Sequence, residues 1–67
     1  MSKLYIKTPR QTIALITKIF EAMGHLAVVT TIDRRAGILR LLYDQSNEKE
    51  LLKVLDSLPC ELMTEQD

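Results

Sequence analysis

The stretch LAVVTTIDRRAGILRLLYD, Leu26 to Asp44, decides the fold. Two runs rich in β-branched and large apolar residues, Leu26 to Asp33 and Ile38 to Tyr43, flank the short segment Arg34-Arg35-Ala36-Gly37. Such runs favour strands. A type I turn closed by a glycine at positive φ fits the connection between them. The stretch therefore predicts a β-hairpin, with Gly37 supplying the backbone conformation and the two arginines keeping the tip in water. In the second run Leu39, Leu41 and Tyr43 point one way and Ile38, Arg40 and Leu42 the other. The first set is wholly apolar and is assigned to the core. The first run offers two interleaved sets, Leu26, Val28, Thr30, Ile32 and Ala27, Val29, Thr31, Asp33. Turn register decides between them, and either leaves apolar side chains on the face away from the core.

Upstream, Lys3-Leu4-Tyr5-Ile6-Lys7 alternates polar and apolar side chains, predicting a strand with Leu4 and Ile6 facing in. Thr8-Pro9-Arg10-Gln11 then carries the signature of a helix start. Thr8 is the expected N-cap, Pro9 suits the first helical position, and Gln11 stands three residues after the cap. At 100° per residue, Ile13, Leu15, Ile16, Ile19, Phe20 and Met23 form one broad apolar stripe. Gly24 follows as an expected left-handed stop. Downstream, Asn47 is an expected N-cap with Glu48 and Glu50 in the first turn, where acids favour the helix dipole. Leu51, Val54, Leu55 and Leu58 form the second stripe, and Pro59 ends it. Cys60 to Glu65 predicts a last strand, with Cys60 and Leu62 on one side and Glu61 and Met63 on the other. Gln66 and Asp67 are expected to fray.

The order is strand, helix, strand, strand, helix, strand, over one domain spanning residues 1–67. Right-handed crossovers turn this into a ferredoxin-like α+β fold. It is a four-stranded antiparallel sheet of order 4-1-3-2 with both helices on one face. The other face should be polar in a monomer. Here it carries Tyr5, Ile38, Arg40 and Leu42, and an apolar patch of that kind marks an interface. Self-association also suits the size of the chain. A domain this short buries only about 60% of its unfolded surface. Ordering costs roughly 1.5 kcal/mol per residue, so the balance lies near zero without a supplement. One cysteine and one histidine supply neither a disulfide nor a four-ligand zinc site.

Nine basic residues balance nine acidic ones. That speaks against a protein that grips nucleic acid mainly through phosphates. No run reaches the roughly 18 apolar residues of a membrane span, and MSKLYIKTP has no apolar core of a signal peptide. A cytoplasmic location is expected, and no cofactor. His25 follows Gly24 without a neighbouring nucleophile or orienting acid, so it reads as a loop residue. Cys60 lies between Pro59 and Glu61, not in the electropositive setting of a reactive thiol, and reads as a small buried residue at a strand start. Arg34 and Arg35 read as a solvated turn, although such a pair can also meet phosphates. Arg40 in a central strand must either pair with an acid of a partner subunit or snorkel outward. Backbone N–H groups at a helix start attract anions, which makes Thr8, Pro9, Arg10 and Gln11 the candidate small-ligand site. No Gly-rich phosphate loop, HExxH, CxxC or GxSxG occurs.

In element order and size the chain resembles the ACT domain, a small ligand-sensing module that commonly dimerises. The resemblance implies a ligand at the subunit seam. Lys7-Thr8-Pro9-Arg10-Gln11 lacks the Asp and Gly that the ACT ligand loop usually carries. Leu26 to Asp33, Gly37 to Leu42, Thr8 to Gln11 and Glu50 to Leu55 together are similar to a family of short bacterial proteins catalogued as a domain of unknown function. That resemblance implies a bacterial cytoplasmic origin and an ACT-like fold, and brings no catalytic residue. The shape also serves RNA-recognition motifs, whose central-strand aromatics are aliphatic here, and metal carriers, whose CxxC is missing. The expected function is a non-enzymatic ACT-like module that homodimerises through its open sheet face or its strand edges, with a small regulatory ligand near Thr8 to Gln11. The alternative is an RNA-binding or protein-adaptor module using Tyr5, Arg34, Arg35 and Arg40 on the open sheet.

Overall fold

The computed structural model describes residues 1–63. Its elements are strand β1 (Ser2–Lys7), helix α1 (Ile13–Ala22), strands β2 (Val28–Asp33) and β3 (Ile38–Tyr43), helix α2 (Glu48–Asp56) and strand β4 (Glu61–Met63). A short 3₁₀ turn precedes each helix, Arg10–Thr12 and Gln45–Asn47. The strands form one sheet in the order β2-β3-β1-β4, antiparallel throughout. This is the ferredoxin-like arrangement that the hairpin and the two stripes predict. Thr64, Glu65 and the expected fraying at Gln66 and Asp67 lie outside the described residues.

The core lies between the sheet and the helices. Ile6, Leu39, Leu41 and Tyr43 from the sheet meet Ile13, Ile16 and Phe20 from α1 and Leu51 and Leu55 from α2. Leu39, Leu41 and Tyr43 face in, as the alternation predicts. The Tyr43 hydroxyl donates to Glu48 Oε1 at 3.1 Å, and burial followed by that carboxylate raises its pKa. Leu15 departs from its expected place in the first stripe and is 52 % exposed. At 100° per residue it stands over a quarter turn from the row Ile13, Ile16, Phe20, so the buried stripe is narrower than the apolar one. β2 starts at Val28, two residues later than expected. Leu26 and Ala27 are buried in the connection ahead of it.

Local signals near the helix ends are reassigned by tertiary contacts. Thr8 does not cap α1. Pro9 is extended, with ψ of 138°, so the helical turn cannot begin there. The Thr8 hydroxyl instead donates to Pro59 O at 2.9 Å, and α1 opens at Ile13. Gly24 is not left-handed, because Gly37 is the one residue with positive φ among those described. α1 closes instead through Met23, whose N–H donates to Ile19 O at 3.1 Å, while the Leu26 N–H reaches Met23 O at 2.8 Å. Asn47 occupies the expected cap position of α2 without a capping bond from its side chain. Its Nδ2 donates to His25 O at 3.1 Å. Asp44 takes the capping role one turn earlier, its Oδ1 accepting from the Ser46 N–H at 3.2 Å.

Gly37 closes the hairpin as expected, at φ 74°, and Asp33 Oδ1 accepts the Ala36 N–H at 3.1 Å across the turn. The glycine also lies against Thr8. The Thr8 N–H donates to Gly37 O at 2.8 Å, and a Cβ on Gly37 would fall 1.8 Å from Thr8 O. Both the positive φ and this approach exclude a side chain. Gly37→Ala should therefore destabilise the fold by about 3 kcal/mol, read as a lower urea midpoint at unchanged slope. A loss below about 0.5 kcal/mol, typical of an ordinary surface site, would contradict the close approach.

Candidate functional site: the open sheet face and the adjoining cleft

Strand register fixes which side chains share the face away from the helices. Antiparallel partners point to the same side. One row runs Asp33, Ile38, Lys7, Glu61, and the middle row Thr30, Arg40, Tyr5, Met63. A third row runs Val28, Leu42, Lys3. All four residues expected at an interface, Tyr5, Ile38, Arg40 and Leu42, thus lie on this face, and each is half-buried. The parity that sequence alone leaves open is settled by the pairs Val28 with Leu42 and Thr30 with Arg40. A bulge follows, with Ile32 as the extra residue between Thr31 and Asp33. Val28 and Ile32 are 56 % and 48 % exposed.

Arg40 is the unusual member. It sits in the third strand between Tyr5 and Thr30, and its Nε is shut off from solvent with no hydrogen-bond partner among the described residues. A buried donor without an acceptor costs free energy and needs a reason. Lys7 has Glu61 as its cross-strand neighbour. Among the described residues Lys3 and Arg40 have no acid in their rows, so the described middle of the face is cationic and apolar.

Beside this face an open cleft of about 600 Å³ is lined by Lys7, Thr8, Pro9, Arg10 and Ala36 with Leu58, Pro59, Cys60 and Glu61. Three of the four residues expected at a ligand site, Thr8, Pro9 and Arg10, line it. Gln11 does not; it is exposed on the 3₁₀ turn. Thr8 is 4 % exposed and its hydroxyl is already shared with Thr12 Oγ1 and Pro59 O. The groups free to meet a ligand are therefore Lys7, Arg10 and Glu61. Sequence reading does not place Ala36, Pro59, Cys60 and Glu61 here, because they arrive from the hairpin and from the α2–β4 connection. Arg34 and Arg35 are exposed at the hairpin tip and do not line the cleft.

His25 is an exposed turn residue engaged through its carbonyl oxygen. Among the described residues no three His, Cys, Asp or Glu side chains cluster as metal ligands, and no helix is long and apolar enough to cross a membrane. A protein-family model described as a domain of unknown function (DUF4911) matches residues 6–61. The chain belongs to that family. Comparison with curated proteins and with solved structures finds no match. The matched span takes in β1 from Ile6 to the first residue of β4, and so includes the cleft and most of the open face.

Cys60, expected to be buried at the start of the last strand, is instead half-buried on the cleft wall one residue ahead of β4, its Sγ 3.7 Å from Leu55 O. Burial pushes its thiol pKa above the ordinary 9.0. The thiolate is disfavoured in the folded state, so native stability holds below that value and falls as pH rises through the folded one. The rate of iodoacetamide alkylation should have its pH midpoint above 9.0 in the native protein and revert to the ordinary value in urea. A native midpoint below the denatured one would show an activated thiol instead.

Proposed function

We propose that this chain is a small, non-enzymatic, ACT-like module that forms a homodimer over its open sheet face and binds a small regulatory ligand in the adjoining cleft. One observation carries the reading. Tyr5, Ile38, Arg40 and Leu42 form the middle of a sheet face with both helices on the opposite side. Small domains that expose such a face gain stability by burying it. Lys7 and Glu61 belong both to the outer row of the face and to the cleft wall. An anionic ligand held by Lys7 and Arg10 would change the charge at the seam, which gives the cleft a means of regulating assembly.

The test is molar mass by size-exclusion chromatography with light scattering, from micromolar to millimolar protein. The reading expects a rise from one to two chain masses over that range. Ile38→Asp combined with Leu42→Asp should hold the protein at one chain mass while its circular dichroism stays native. A wild-type monomer at the highest concentration, or an unchanged mass in the double variant, overturns the proposed interface. Salt-sensitive binding of single-stranded RNA by that monomer would assign Arg34, Arg35 and Arg40 to a nucleic-acid surface instead.

A further inference from the structure

We infer that the cleft beside the hairpin takes a small monocarboxylate with an apolar body, and that Glu61 is the residue that excludes ligands of higher charge. This rests on the ligand half of the reading above and names the class of that ligand. The chain itself engages polar groups on every side of the cleft. Pro9 O accepts from the Thr12 N–H at 2.9 Å and from Thr12 Oγ1 at 2.8 Å. Pro59 O accepts from Thr8 Oγ1 at 2.9 Å. The Thr8 N–H donates to Gly37 O and the Cys60 N–H to Leu58 O, each at 2.8 Å. Neither proline brings an N–H of its own.

The side chains left to address a ligand are charged. Lys7 and Arg10 are cationic donors, Glu61 is an anionic acceptor, and all three are exposed on the cleft wall. Lys7 and Glu61 are cross-strand partners, so the carboxylate stands beside one of the two cations. Arg10 comes from the turn ahead of α1. Two cations against one acid leave the lining with a net charge of +1, which a ligand of charge −1 complements. The Arg10 guanidinium can meet both oxygens of a carboxylate side by side, and Lys7 adds a point charge. A phosphate monoester carries nearly two charges at neutral pH, and the second of them meets Glu61. A zwitterion brings an ammonium next to its carboxylate, and so a third cation beside Lys7 and Arg10.

The rest of the wall asks for carbon. Ala36 from the hairpin and Leu58 from the α2–β4 connection are half-buried, and Pro9 and Pro59 are exposed. These side chains offer no hydrogen bond and gain from being covered by an apolar group. A cleft of about 600 Å³ lies within the size range of small-molecule sites, and it leaves room for a ring beside the carboxylate. Because the cleft is open and its charges stand in water, each ionic contact is weak. Dissociation near the millimolar range is therefore expected.

The test is a titration of the full nitrogen-15-labelled chain, at neutral pH, with phenylacetate, phenylglycine and phenyl phosphate, which share a ring and differ in the charged end. Phenylacetate should shift the amide signals of Lys7, Arg10, Ala36 and Glu61 and bind at least about 5-fold more tightly than the other two. Arg10→Gln should weaken phenylacetate about 5-fold or more, and Glu61→Gln should bring phenyl phosphate level with phenylacetate or past it. Both residues are exposed, and the amide spectrum of each variant shows whether its fold is kept. If phenylglycine or phenyl phosphate binds the wild-type chain most tightly, or Glu61→Gln leaves the preference unchanged, the monocarboxylate assignment is overturned while the cleft stands as the ligand site. If no probe shifts the cleft signals, the assignment and the ligand half of the reading fail together. Molar mass in the same samples reports on the dimer separately.

Discussion

Thr8 is the one buried polar side chain among the described residues, and three separate segments meet on it. Its N–H closes onto Gly37 O at the hairpin tip, its hydroxyl onto Pro59 O before β4, and the same hydroxyl meets Thr12 Oγ1 ahead of α1. A buried threonine without these partners would carry a desolvation penalty of about 1–3 kcal/mol. With them it ties the exit of β1 to both neighbours of that strand. The register follows from this tie. Gly37 opposite Thr8 puts Ile38 opposite Lys7, and so Arg40 opposite Tyr5. A shift by one residue would send Leu39 and Leu41 to the open face and Arg40 into the core. The composition of the open face is therefore set at the far end of the strand.

The sheet has one side covered and one side bare, and the two sides divide the energetics. Ile6, Leu39 and Leu41 are fully buried under α1 and α2. Burial of such side chains is worth about 1.5–3 kcal/mol each. That contribution works against the large ordering entropy of a short chain. On the bare side Tyr5, Ile38 and Leu42 are only half-buried, and the Arg40 Nε has no hydrogen-bond partner among the described residues. A second copy would complete the burial of the first group, whereas the Arg40 Nε is already covered by the chain's own atoms. On the proposed reading, stability and assembly would depend on one surface, and a ligand at Lys7 and Arg10 would have a short physical route to both.

The parts of this arrangement that are legible in the sequence are those governed by neighbours in the chain. Alternation assigns Leu39, Leu41 and Tyr43 to the core because one set of that strand is wholly apolar. Gly37 is legible because four residues between two strands demand a positive φ. The open face follows once the strand order is set by right-handed crossovers. Thr8 shows the opposite case. Thr8-Pro9-Arg10-Gln11 has the spacing of a capping box, yet the hydroxyl finds a partner 51 residues away, which no local pattern reveals. Gly24 and Gly37 look alike in sequence, and only the chain path separates the first from the second. The parity of β2 stays hidden because it depends on the loop between the strands and on the bulge between Thr31 and Asp33. The cleft is legible only in its first wall, since Ala36, Pro59, Cys60 and Glu61 are brought there by tertiary folding.

The proposed pairing of two copies over the open sheet face is tested most directly by an isotope-filtered nuclear Overhauser experiment. A one-to-one mixture of carbon-13-labelled and unlabelled chains, at millimolar concentration, separates contacts between copies from contacts within one. The account predicts intermolecular cross-peaks among the side chains of Tyr5, Ile38, Arg40 and Leu42. Intermolecular cross-peaks confined to α1, α2 or the outer edge of β2, or none at all, would contradict it.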